Sequence, residues 1–310
     1  MRCTITFIGL YLFCATNFAQ TPVDAILMQP GEACVLLNFE YGNFDEYWEG
    51  DFLRRNETIA TVSRKTILPM AAIGIFKGLN VYVGLPYVKT KSSEPNGGKL
   101  EGAQGIQDLL IALKYEIFTK TSESRELSLL TSGGYSTPAT NYLSDYLPYS
   151  LGFGADEWNL RAILQFKLNN GLYFRTSLGH LWRGYTEAER DYYYNDGSYY
   201  TALMDVPNAW NYQIVAGKWF FNNSFKIEAS YNALKSTSGD DIRKYNAAQP
   251  TNKVQFDQVG ISAHYYFQKL KGLGLIASHT QIVNGRNMSK SNTLALGITY
   301  QFNFIKESNQ

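Results

Sequence analysis

Thr293-Leu-Ala-Leu-Gly-Ile-Thr-Tyr-Gln-Phe-Asn-Phe304, close to the C-terminus, decides how the chain is read. Leu294, Leu296, Ile298, Tyr300, Phe302 and Phe304 share one parity, and Thr293, Ala295, Gly297, Thr299, Gln301 and Asn303 share the other. Strand side chains alternate between faces with a period of two, so one face is wholly apolar and the other small or polar. A soluble sandwich would bury that apolar face against a second sheet and give a similar pattern. What separates the two is whether the rest of the chain repeats it at membrane length.

It does. Working back from the last strand, the same alternation runs through 272–281, 255–267, 225–232, 209–220, 172–183, 156–168, 125–136, 105–118, 80–89 and 33–41. Residues 58–75 form the least regular strand, and Pro69 within it predicts a bulge, because proline cannot donate to a ladder. The connections alternate as well. Long polar loops (42–57, 90–104, 137–155, 184–208, 235–254, 282–291) follow short turns such as Asn169-Asn-Gly171, where Asn-Gly tolerates positive φ. Short turns at one rim, long loops at the other and an even strand number are the marks of a transmembrane antiparallel β-barrel. The reading is therefore an all-β outer-membrane barrel of twelve strands over 33–304. Its edges must close on each other, since hydrocarbon offers the backbone no partner. Aromatics fall where the two interfacial girdles should be. Phe76, Phe118, Phe225, Phe267 and Phe304 lie near turns, and Tyr41, Tyr87, Tyr135, Trp158, Trp182 and Trp210 near loops.

Upstream of the barrel, Met1-Arg2 is followed by an apolar core at 5–13 and a small residue at Ala19, the pattern of a secretory signal peptide over 1–19. Residues 20–32 then read as a periplasmic lead-in too brief to be a plug domain, and 305–310 as a periplasmic tail. Cys3 and Cys14 leave with the signal, so Cys34 stays alone and no internal disulfide is possible. Losing Arg2 takes the 28 basic side chains to 27, against 27 acidic ones. A neutral chain makes no case for nucleic acid. The partners expected are outer-membrane lipid, a small-molecule solute, and the barrel-assembly machinery acting through the C-terminal strand.

Charged strand residues mostly keep to the inward parity. Glu40, Lys114, Glu116, Arg161, Lys167, Arg175, Lys226 and Glu228 are the candidate pore lining, and Lys218, on the outward parity, should sit near the periplasmic rim. Both signs are present, which suits either a salt-bridged filling or a polar pore. The loop residues Tyr192, Tyr193, Tyr194, Tyr199 and Tyr200 could gather aromatic ligands by stacking or simply fold over the barrel. No cofactor is expected. There is no phosphate-cradling loop, no His-Glu-x-x-His and no Gly-x-Ser-x-Gly. Ser262 and His264 share a face, but lipid hydrolysis would need the pair on the lipid side, so no enzyme is expected.

Three segments carry a family resemblance. Gly84-Leu-Pro-Tyr-Val88, the Gly-containing stretch 102–105 leading to Asp108 and Ala112-Leu-Lys-Tyr115, and Tyr149-Ser-Leu-Gly-Phe-Gly154 resemble landmarks of the barrel family named for the MetA pathway of phenol degradation. Ser136-Thr-Pro138 departs from it in lacking the Gly that usually follows the proline. The resemblance implies passage of small hydrophobic or aromatic compounds, and it carries over no catalytic residue. The alternative from another class is a sealed barrel serving as anchor, adhesin or scaffold through its long loops.

Overall fold

The computed structural model describes residues 21–242 and 248–305. The signal peptide, the C-terminal tail after Ile305 and Gln20 lie outside the described residues. Twelve wall strands follow in order: β1 Glu32–Phe44, β2 Val62–Phe76, β3 in two pieces (Leu79–Gly84 and Tyr87–Ser92), β4 Asp108–Thr121, β5 Arg125–Pro138 and β6 Glu157–Leu168. The second half comprises β7 Leu172–Arg183, β8 Ala209–Phe220, β9 Phe225–Ser236, β10 Gln255–Tyr266, β11 Leu273–Arg286 and β12 Asn292–Asn303. Each pairs antiparallel with its sequence neighbours. β1 also pairs with β12, from Glu32↔Asn303 to Asn43↔Asn292, so the sheet closes on itself and has no free edge.

The two faces are the reverse of those in a water-soluble protein. On the outside, Leu296 is 64% exposed, Leu160 54% and Ile261 56%. Inside, Lys114 is 0% exposed and Lys226 3%. No soluble protein leaves rows of large apolar side chains bare around its whole circumference while burying lysines within. Hydrocarbon is the medium that makes this arrangement favourable. Both girdles are present. Trp158 tilts against Tyr135 at 4.6 Å, and His180 lies 4.5 Å from Trp182 and 4.5 Å from Trp210 at the loop end. At the turn end Phe220, Phe221 and Phe225 cluster. Lys218 is exposed on the outer face beside that cluster, its ammonium 5.3 Å from the Phe220 ring.

Two expectations about the wall and its approach need correcting. β2 runs past Pro69 in one register against both neighbours, with Leu37↔Pro69 on one side and Ile67↔Tyr87 and Met70↔Gly84 on the other. β2 bulges only later, between Gly74 and Phe76, and opposite the proline it is β3 that breaks, at 85–86. There the Leu85 N–H still donates to the Pro69 carbonyl at 3.2 Å. A second proline, Pro86, makes the neighbouring strand yield, so β2 keeps its register past Pro69. The other correction concerns the lead-in. Residues 21–31 do not hang below the rim but run inside the lumen at its turn end. Met28, 2% exposed, packs with Cys34, Ala72, Tyr82 and Ala112 from the inner face of the wall. Gly74 is what lets the segment lie so close, since a Cβ there would stand 2.2 Å from the Gln29 carbonyl oxygen.

Candidate lumen site and its plug

The lead-in is anchored by side chains of the wall, Lys114 first among them. Lys114 Nζ donates to the carbonyl of Thr21 at 2.8 Å, to the carbonyl of Asp24 at 3.3 Å and to Asp24 Oδ1 at 2.8 Å. Asp24 in turn shapes the segment, accepting from the Thr21 N–H at 2.6 Å and the Ile26 N–H at 2.9 Å. Burial pushes the Asp24 carboxyl up, but Lys114, Arg175 and Lys226 outweigh it and hold it below its ordinary range, so it is ionised at neutral pH. Further along, the Gln29 N–H donates to Glu32 Oε2 at 2.9 Å and the Gly31 N–H to the Gly74 carbonyl at 3.1 Å. The result is a short plug seated in the turn end.

Four of the eight predicted lining residues converge beside it. Glu228 on β9 accepts from Tyr173 at 2.5 Å and from Arg175 at 3.2 Å, both on β7, and its Oε1 lies 3.4 Å from Lys226 Nζ. Lys114 joins this group through Asp24. The other four lie apart. Glu40 sits nearer the loop end, accepting from Asn38 at 2.9 Å. Arg161 is half-buried part-way along β6, while Lys167 and Glu116 lie toward the turns, Glu116 accepting from Thr119 at 2.7 Å. Ser262 and His264 belong to the same group as Glu228. The Ser262 oxygen is 3.3 Å from His264 Nε2, and the Glu228 carboxylate lies 3.7 Å from that same nitrogen, while His264 Nδ1 has no hydrogen-bond partner. A relay needs the acid on the nitrogen away from the serine. The Ser262–His264 pair is not arranged as such a relay.

Above the plug the lumen opens into a cavity of about 890 Å³ at the loop end. Its walls are mixed. Phe44, Ile59, Val62, Leu151 and Met288 supply apolar surface, and Arg64, Asp108, Glu157 and Arg183 supply charge. The charges are already committed. Arg64 donates to the carbonyls of Leu151 at 2.6 Å and Ser150 at 3.2 Å. Arg183 donates to Glu157 at 2.7 Å and caps the Phe153 ring at 4.9 Å, and Tyr142 donates to Asp108 at 2.6 Å. Loop 139–156 is thus drawn inward, with Tyr149 buried against the inner wall and donating to Ser92 at 2.9 Å. Replacing Arg64 with Ala should free this loop and leave two carbonyls unpaired. Limited proteolysis of the folded barrel would then cut between 139 and 156, where the parent resists.

None of the five loop tyrosines lines this cavity. Tyr193 stacks on Tyr199 at 5.1 Å within a small hairpin, Tyr192 tilts against Tyr200 at 5.2 Å, and Tyr194 gives its carbonyl to Gln249 at 2.6 Å. Tyr193 is buried, while Tyr192, Tyr199 and Tyr200 stay exposed at the loop end. What the sequence reading missed was Asp24, Tyr173, Arg64 and the inward loop. Arg64 had a usable signal: it lies two residues from Thr66 on the inward parity of β2, a strand whose pattern Pro69 obscured.

Residues 59–298 match the family described as "Putative MetA-pathway of phenol degradation". The chain belongs to this family. Among solved structures it is similar to an outer membrane channel from Pseudomonas putida F1, with a TM-score of 0.72 at 11% identity over 92% of this chain and 100% of that one. It is less similar to the NanC porin, at TM-score 0.47 and 8% identity over 85% and 98% of the two chains. No curated protein sequence matches. The family and the fold together make this chain an outer-membrane β-barrel. Its short turns face the periplasm and its long loops the exterior, so the lead-in sits at the periplasmic end and the cavity opens outward.

Proposed function

We propose that the barrel gives small hydrophobic or aromatic compounds passive passage across the outer membrane. The outer cavity is the receiving chamber and residues 21–31 are the gate. The observation that carries this reading is the chamber itself, whose arginines and carboxylates are spent on holding the inward loop, which leaves apolar wall to meet a solute. The description of the family as belonging to phenol degradation, and the likeness to a channel, support it. The test is uptake of labelled phenol and of a hydrophilic sugar into vesicles with a lipopolysaccharide outer leaflet carrying the refolded mature chain. Phenol should enter severalfold faster than into protein-free vesicles, and the sugar much less so. Equal rates with and without protein would overturn the reading.

One observation favours a second reading. The periplasmic end is filled by Lys114, Arg175, Lys226, Glu228 and the plug, as expected of a sealed barrel that anchors or displays its loops. That barrel would pass no solute, and trimming loop 184–208 would remove its surface activity. The C-terminal strand, with Phe302 and Phe304 at its end, is the segment we assign to recognition by the assembly machinery.

A further inference from the structure

We propose that Lys114, Arg175 and Lys226 form a carboxylate-binding site in the lumen wall, and that Asp24 occupies it as a built-in stand-in for a carboxylate-bearing solute that displaces the plug. This deepens the passage reading and rests on it.

The argument begins with Lys114. It is wholly buried, yet the ion pair and all three of its hydrogen bonds given above run to the lead-in, whose backbone meets the wall at Gln29 and Gly31, at the far end from Asp24. A buried ammonium left without its counter-ion is costly, so the site favours an anion whenever Asp24 is out of it. Arg175 and Lys226 pair with Glu228 in the same buried cluster, and their charge bears on Asp24 as well. In the wall of this cluster they face one carboxylate, Glu228, and a Ser262–His264 pair. With Asp24 withdrawn, the wall keeps an excess of positive charge.

Two further features fit a ligand larger than an aspartate. Lys114 sits 5.0 Å from the Tyr82 ring and Lys226 5.4 Å from the Trp219 ring, so the cations are flanked by aromatic surface. Polar atoms stand unmet nearby. Arg175 Nε and Ser177 Oγ, both able to donate, are buried on the same inward face of β7 without a hydrogen-bond partner. Arg175 itself is 6% exposed. An aromatic carboxylate meets both demands, placing its oxygens on the cations and its ring against the aromatic wall.

The test is single-channel recording of the refolded mature chain and of Asp24→Asn and Lys114→Met, each checked for folding by heat-modifiable gel migration. Benzoate is the probe and methyl benzoate the uncharged control. Asp24→Asn should conduct severalfold more than the parent and favour chloride over potassium. Benzoate should raise the parent's open probability and block chloride current through Asp24→Asn, methyl benzoate should do neither, and Lys114→Met should lose both responses. If Asp24→Asn shows no anion preference, or if benzoate acts equally on Lys114→Met, the site is wrong while phenol uptake by the parent leaves the passage reading standing. If the parent passes no solute at all, both fall.

Discussion

Deleting residues 21–30 should raise single-channel conductance severalfold and collapse the closed time. The wall does not depend on this segment for closure, because β1 begins at Glu32 and its ladder to β12 starts there. What the segment does is fill the periplasmic end. Its Met28 takes up the space between Cys34, Ala72, Tyr82 and Ala112, and its backbone passes so close to Gly74 that no side chain fits between them. A twelve-stranded barrel is wider than the eight-stranded kind whose side chains alone fill the interior, so removing the filling leaves a water path. The deletion also strips Lys114 of its counter-ion, which lowers stability by less than the usual cost of breaking a buried pair because water then reaches the site. A smaller change makes the same point. Gly74→Val puts a branched side chain where the Gln29 carbonyl oxygen lies 2.2 Å from a Cβ. It should expel the plug and raise conductance while leaving Asp24 and Lys114 in the chain. If both variants conduct like the parent, the segment is not the gate.

The reason the wall was legible and the plug was not is physical. Which face a strand residue takes is fixed by its immediate neighbours, so Leu294, Leu296 and Ile298 announce their orientation without knowledge of any other strand. Hydrocarbon enforces the rule on every strand at once, and the inward placement of Lys114, Arg175, Lys226 and Glu228 followed from parity alone. The same logic located Lys218 near the turns, where its ammonium reaches the interface. Where residues 21–31 go depends on a partner far along the chain, Asp24 on Lys114, and on a bare Gly74. Neither leaves a periodic trace. Loop 139–156 has the same character, since its inward course hangs on Arg64 reaching the carbonyls of Ser150 and Leu151. For the tyrosine loop the sequence leaves two readings standing, ligand contact and a fold over the barrel. A dense run of aromatics looks available to ligands, but rings this close in sequence also satisfy each other, as Tyr193 and Tyr199 do.

Leu296→Arg should cost about 2–4 kcal/mol of folding stability, the penalty for a cation at mid-depth on the lipid face of a barrel. Leu296 is 64% exposed and lies near the middle of β12, between Phe39 of β1 and Ala277 of β11. An arginine there has too far to reach toward either interface to escape the hydrocarbon fully. The adjacent position gives the contrast. Ala295 points inward and stands directly across from Glu40. Ala295→Arg therefore places its guanidinium in the lumen next to a carboxylate, where a cross-strand pair of opposite charge offsets the extra side chain and the change should stay within about 1 kcal/mol. Reversible urea unfolding of the two variants in lipid vesicles measures both. The comparison isolates the medium, because the two substitutions add the same group one residue apart on one strand. In a water-soluble sheet the outward arginine would be the harmless one. A larger loss for Ala295→Arg than for Leu296→Arg would mean that the outer face meets water, and with it the barrel would have to leave the membrane.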